Sequence, residues 1–338
     1  MADVLREAGH EVEMFADNTV DISRKIYKPR ELTTYLRERE DILIYHYAIG
    51  WDIAMDVLRS TPAKRVIRYH NITPPHFFAD YSQDHFYGCD TGRASISDMV
   101  NLKCELYMGA SAYNVQDLVD HGLDPARSAV VPPFNRLSNL LNAQADKDFI
   151  QQYQDGAVSL LMVGRISPNK GHLALIDAFA CYQREFEKNS RLFIIGKQDK
   201  NLHRYNQQIQ ERIRRYGLTK QVVMVDNATE AQLKAAYQIS DALLMLSEHE
   251  GFCVPLVEAM ALQVPIVAYG SSAIPETVGD AGLVWESNDP MLMACSIDRI
   301  LHDKDLKKFL QTQGAERYQS TFTREAIKQT LLKVIARL

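Results

Sequence analysis

Residues 159–171 read Ser159-Leu160-Leu161-Met162-Val163-Gly164-Arg165-Ile166-Ser167-Pro168-Asn169-Lys170-Gly171, an apolar run followed by a turn that carries two glycines and two cations. A short run without polar alternation is a strand buried on both faces, and the amphipathic stretch 172–187 behind it reads as a helix. A strand that passes through such a turn into a helix is the repeating unit of a parallel α/β sheet. Outward from this unit the alternation continues, with strands expected at 41–45, 65–69, 105–109, 129–131, 191–195, 222–225, 242–246 and 265–268. The fold class that follows is α/β, doubly wound.

Helix boundaries support this reading. Ser111 is an N-cap with Gly122 as the stop, and Thr229 with Gln232 forms a capping box for a helix running to 239. A chain of 338 residues implies two domains. The polar stretch 137–156 reads as a linker plus a flanking helix, which puts the boundary there, with domains at 1–143 and 155–319. The chain opens in an amphipathic helix, 3–8, followed by an expected strand at 11–15. Doubly wound domains open with a strand and a glycine turn, so a first strand and its loop are expected to be missing ahead of this helix.

Composition excludes several classes. With 46% hydrophobic and 24% charged residues, and apolar runs far shorter than a membrane span, a transmembrane chain is not expected. A net charge of −5 gives no case for nucleic acid. The five cysteines (Cys89, Cys104, Cys181, Cys253, Cys295) show no CxxC pair or Cys/His metal spacing and read as reduced cytoplasmic thiols, with no metal expected. Metalloprotease, hydrolase-elbow, P-loop and dinucleotide motifs do not occur in the sequence.

The chemistry concentrates in the loops that follow strands. After strand 242–246 comes Ser247-Glu248-His249-Glu250-Gly251-Phe252-Cys253-Val254-Pro255-Leu256-Val257-Glu258, with Pro255 placed for a first helical turn. A helix N-terminus at a strand's carboxyl end suits a phosphate. Glu250 and Glu258 flank it as acceptors for sugar hydroxyls, which suggests a nucleoside diphosphate sugar. The alternative is a dipole-favoured Glu258 and a solvated Glu250. In 164–171, Arg165 and Lys170 supply cations suited to a diphosphate leaving group, or else form a solvated basic turn. His70 ends strand 65–69 and is placed to meet a sugar hydroxyl or developing charge, or is structural; His46 is the same case with weaker support.

Together these residues resemble the retaining glycosyltransferases of family 4 (GT4), which have the GT-B fold of two Rossmann-like domains facing across a cleft. The resemblance covers most of 159–285. It rests on Gly164-Arg165, Lys170-Gly171, Ile195-Gly196-Lys197, the glutamates Glu250 and Glu258, residues 265–268, and Ile274-Pro275-Glu276 through Gly282. The first half matches more loosely, through Tyr69-His70-Asn71, the Ser111 segment and Val131-Pro132-Pro133-Phe134-Asn135. The C-terminal stretch, 320–338, looks like the family's crossover that completes the N-terminal, acceptor-side domain.

The resemblance implies that Arg165 and Lys170 hold the donor diphosphate beside Gly164, and that Glu258 binds the ribose. It gives the transferred sugar to Glu250 with the backbone of Gly251 and Phe252, and the phosphate and ribose to the segment Cys253, Val254, Pro255 and Leu256. Gly196, Lys197 and Asn227 would frame the base, and His70 would reach the sugar. Asn227 and Cys253 stand where the family commonly has glycine. No cofactor or metal is implied, and the donor is a UDP-sugar, UDP-glucose favoured, or a GDP-sugar. Transfer would be front-face and retaining, to a glycan or lipid-linked acceptor in polysaccharide biosynthesis. Alternatives are a non-catalytic nucleotide-sugar-binding partner and a GT-B epimerase or phosphorylase. Localisation is expected to be cytoplasmic, with a weaker expectation of peripheral contact with the inner face of the membrane through Arg24, Lys25, Lys28, Arg30, Arg37 and Arg39.

Overall fold

The computed structural model describes residues 1–19, 24–49 and 52–338. Ten strands among them are β1 Ile42–Tyr47, β2 Lys64–Tyr69, β3 Leu106–Gly109, β4 Ser128–Val130, β5 Val158–Val163, β6 Ser190–Ile195, β7 Val222–Val225, β8 Ala242–Met245, β9 Ile266–Tyr269 and β10 Gly282–Trp285. They form two parallel sheets, ordered β1-β2-β3-β4 and β10-β9-β8-β5-β6-β7. Parallel neighbours require a crossover, and a helix lies between most consecutive strands.

The chain divides into two compact units. Unit 1 comprises residues 1–74, 87–134 and 324–338; unit 2 comprises 75–86 and 135–323. In unit 1, one face of the sheet packs Val66, Leu106 and Met108 against Val4, Leu5 and the helix Arg324–Ile335 through Ile327 and Leu331. The other face packs Ile67, Tyr69 and Tyr107 against Leu58, Ile96, Met99 and Leu118. Both faces are therefore covered, as the unbroken apolar runs require.

In unit 2 the sheet turns about β5, which pairs with β6 on one side and β8 on the other. The strand order runs β5-β6-β7 one way and β8-β9-β10 the other, so the loops after β5 and β8 diverge to opposite faces. The carboxyl end at such a switch point is where an open α/β sheet leaves a crevice. That geometry places residues 164–171 and 247–253 side by side.

Three expectations are corrected, and one strand was not foreseen. Residues 11–15 make no strand: Phe15 forms a single bridge with Tyr27, and its ring packs on Tyr27 and Tyr35 at 5.5 and 5.3 Å. Glu11 and Glu13 stay exposed, while Val12 packs against the unit 1 core. Residues 137–156 are no linker; they fold as helices Leu137–Asn142 and Lys147–Tyr153 in unit 2, with the Lys234 ammonium bound to the carbonyls of Leu141 and Ala143. The division accordingly falls between Phe134 and Asn135. Finally, β10 was not expected, because it is short and begins at a glycine.

Residues 75–86 also part from their sequence neighbours. Tyr81 Oη donates to Gln208 Oε1 at 2.9 Å and its ring meets Tyr205 edge-on at 5.2 Å. His85 Nε2 lies 3.0 Å from Asp199 Oδ2, and Arg204 binds the Asp80 carbonyl. These contacts are why the segment belongs to unit 2.

Candidate active site

Three loops at the carboxyl end of the unit 2 sheet are pressed together by two glycines. Gly171 adopts φ +67°, and a Cβ there would lie 1.9 Å from the Leu246 carbonyl oxygen. Gly196, just past β6, has the same constraint without a positive φ, its Cβ position lying 1.9 Å from the Gly164 oxygen. Only glycine permits both approaches. The loop after β5 is thereby wedged between those after β6 and β8, and the Ile166 amide donates to Lys197 O at 3.0 Å.

Within this frame, Lys170 Nζ donates to Glu250 Oε1 at 2.6 Å. The carboxylate side chain is only 9% exposed and the ammonium 20%. Such a pair keeps its geometry because removing either partner leaves a buried charge. Its backbone is fixed as well. Buried Asn169 accepts from the amides of Glu248 and His249 at 2.9 and 3.2 Å and donates through Nδ2 to His249 O at 3.1 Å. Ser167 Oγ donates to Asn169 Oδ1 at 2.7 Å, and Ser272 Oγ accepts from the Glu250 amide at 2.8 Å.

Glu250 leads through Gly251 and Phe252, whose carbonyl accepts from Thr277 Oγ1 at 2.7 Å, to Cys253. Cys253 is buried at φ +74° and begins the helix Val254–Ala261, whose N-terminus has no side-chain cap and carries Pro255 in its first turn. Burial, and then the charge of Glu250, push its thiol pKa well above the ordinary range. The thiol therefore stays neutral beside the carboxylate.

Glu258 sits on the second turn of that helix, half-buried, with Oε2 accepting from Tyr237 Oη at 2.8 Å. Burial raises its pKa, and the Tyr237 hydrogen bond works against that rise. Arg165 and Lys197 are exposed beside the same loops, and Asn227, exposed after β7, takes φ +52°. Asn227, Cys253 and Ser272 (φ +49°) are thus non-glycine residues in the left-handed region, each in a loop after a strand of this sheet. Strain of this kind gathers where the surrounding structure fixes a site.

His70 lies in unit 1, at the end of β2. Its Nε2 is 2.8 Å from His46 Nδ1, with the rings stacked at 5.1 Å. Desolvation of the paired rings, with the charge of Arg68 added, holds both imidazoles neutral, pushing each pKa down to about 4. The structure thus brings together Gly164, Arg165, Lys170, Gly196, Lys197 and Asn227 with 250–258 in unit 2 and places His70 in the other unit. Sequence reasoning missed Asn169, Tyr237 and Ser272; the only available signal was a polar residue at each position beside an expected strand or glutamate.

The family model described as Glycosyl transferases group 1 matches residues 144–317, just over half of the chain. The chain belongs to this family of glycosyltransferases. Among curated relatives, a serotype-specific mannosyltransferase WbdA of Escherichia coli is 30% identical over 146 residues, 43% of this chain and 17% of its own length. Mannosylfructose-phosphate synthase of Agrobacterium fabrum is 26% identical over 247 residues, 70% of this chain and 54% of its own. The chain thus spans about half or less of the curated relatives it matches. Among solved structures, sucrose-phosphate synthase of Thermosynechococcus elongatus superposes with a TM-score of 0.77 at 19% identity, over 99% of this chain and 91% of that one. Anabaena HepE in complex with UDP and glucose gives 0.71 at 19% identity, over 85% and 75%. The glycosyltransferase fold is GT-B, each Rossmann-like unit carrying one of the parallel sheets. Among the described residues no helix is long and apolar enough to cross a membrane.

Proposed function

We propose that this glycosyltransferase moves a hexose from a UDP- or GDP-sugar to a glycan or lipid-linked acceptor in polysaccharide biosynthesis, with retention and without a metal. The observation that carries the reading is the Lys170–Glu250 pair, 2.6 Å between Nζ and Oε1, beside an uncapped helix N-terminus. A cation and a hydroxyl acceptor that close together match the adjacent phosphate and ring hydroxyls of a glycosyl diphosphate. UDP-glucose is the favoured donor, and the mannosyltransferase names among the relatives make GDP-mannose the first comparison.

In this reading Arg165 and Lys170 hold the diphosphate and neutralise the charge that grows as it leaves. Glu250 and the backbone of Gly251 and Phe252 take the sugar hydroxyls, Glu258 the ribose, and Gly196, Lys197 and Asn227 the base. The amides near Val254 and Leu256 cover the phosphate. His70 offers the sugar its Nδ1, since Nε2 is engaged with His46. The bond from the anomeric carbon to the leaving phosphate oxygen breaks, and the acceptor oxygen bonds to the same face. The acceptor proton passes to the departing phosphate, so no enzymic nucleophile is needed. The cytoplasm is the proposed location, with the basic residues of 24–39 offered to anionic lipid at the membrane's inner face.

Calorimetric titration of UDP-glucose, UDP-galactose, UDP-N-acetylglucosamine and GDP-mannose, with EDTA present, tests this on wild type and Glu258→Ala. One donor should bind without metal, with its affinity lost in the variant. Binding of none of the four counts against the donor site.

A further inference from the structure

The acceptor side of the molecule holds an uncompensated charge. Arg68 is 2% exposed, on β2 of unit 1. Its Nη1 donates to the Gly109 carbonyl at 3.1 Å, an oxygen that already accepts the Val131 amide at 2.9 Å. Among the described residues no carboxylate lies within ion-pair distance of the guanidinium, and no carboxylate acts on its pKa, which burial lowers to about 10. A buried arginine without a counter-charge is costly, and natural chains almost always pair it. Among the described residues its Nε and Nη2 meet no acceptor within hydrogen-bond distance.

The neighbours of Arg68 make this an opening rather than a defect. His46 is its register partner on β1, and His70 follows two residues later on the same face of the sheet. Both imidazoles reach solvent, and they hold each other through the 2.8 Å hydrogen bond. A planar donor fork on the same sheet face as two neutral imidazoles is a complementary seat for a phosphate or carboxylate. The seat lies at the carboxyl ends of parallel strands, where this architecture binds ligands.

We infer that Arg68, assisted by His46, binds an anionic group carried by the sugar acceptor, a phosphate monoester or a carboxylate, and so selects charged acceptors over neutral ones. The inference rests on the glycosyl-transfer reading for the word acceptor; the anion seat itself does not.

Thermal unfolding and calorimetry of the full chain at constant ionic strength test it, with glucose 6-phosphate, glucuronate, inorganic phosphate and glucose as probes. Wild type should gain melting temperature with one of the two sugar anions and none with glucose. Arg68→Met should melt higher than wild type without ligand, since an unpaired buried charge is gone, and should bind that anion roughly tenfold to a hundredfold more weakly. Arg68→Gln, which keeps a donor for Gly109, guards against a packing failure in the methionine variant and should lose the anion in the same way. Glucose 6-phosphate as the active probe would identify a phosphate ester, and glucuronate a carboxylate; either supports the proposal. An equal response to inorganic phosphate alone, an anion response that survives in both variants, or loss of stability in both would overturn it. Donor titration on Arg68→Met should match wild type. If wild type binds no nucleotide sugar while the anion response stands, the transfer reading fails and the seat remains.

Discussion

The two sheets end their strands in opposite ways. In unit 2 the carboxyl-end loops are satisfied internally: Lys170 has Glu250, Glu258 has Tyr237, and the loop amides have Asn169 and Ser272. In unit 1 the corresponding end gathers Arg68, His46 and His70, with no acidic partner for the guanidinium among the described residues. A site that sets a cation beside a hydrogen-bond acceptor, as Lys170 and Glu250 do, suits a ligand with an anion next to hydroxyls, which is what the proposed nucleotide sugar would bring. The unit 1 cluster holds one cation, Arg68, beside two neutral imidazoles, and the proposed anion would supply the other sign.

The largest effect should come from the wedge between the loops. Gly171→Ala would place Cβ against a backbone oxygen in a left-handed conformation, with an expected cost of about 3 kcal/mol or more in chemical denaturation. A stable Gly171→Ala protein would show that the loops are not locked. Next come Lys170→Met and Glu250→Gln, each expected to lower kcat/KM on the order of a hundredfold to a thousandfold. The double variant should be far from additive, with a coupling of roughly 1–3 kcal/mol; additivity would separate the two roles. Tyr237→Phe removes the 2.8 Å bond to Glu258 and should cost about 1 kcal/mol of stability, with donor affinity weakened several-fold in calorimetry.

A smaller change, of opposite sign, is expected for Cys253→Gly. It relieves φ +74° at a side-chain-bearing residue and should leave unit 2 unchanged or stabilised by up to about 1 kcal/mol, read from the denaturation midpoint. The smallest effect belongs to the histidine pair. His46 titrates near 4 in the folded chain and near 6.5 unfolded, so between these values the unfolded state binds more protons and stability rises with pH. His46→Asn should reduce that rise between about pH 4 and 6.5 in pH-dependent melting, leaving the share of His70. An unchanged slope would mean that the rings titrate as free imidazoles.

The sheet of unit 2 was legible because its strands are buried on both faces and declare themselves as apolar runs, from Leu160 to Val267. The glutamate loop was legible through Pro255 and the preceding strand. Tertiary choices were not. Residues 75–86 begin five positions after His70, and nothing in Pro75-His76-Phe77 announces that Tyr81 will pack on Tyr205. Residues 11–15 alternate as a strand would, yet their aromatic found two tyrosines instead. Arg68 was passed over because an arginine in a strand reads as a solvent-facing residue; its burial depends on the helix and loops that cover that face.

The excursion of 75–86 also governs how this molecule can be taken apart. The backbone passes between the units four times, after residues 74, 86, 134 and 323. Neither unit is therefore a continuous clone: a fragment of 135–323 would leave Asp199, Gln208 and Tyr205 without His85 and Tyr81. Recombination between family members at the obvious midpoint would pair residues 135–323 with a foreign segment 75–86. The unit of exchange in such chimeras is the discontinuous one, and a swap that carries 75–86 along with 135–323 keeps those contacts native.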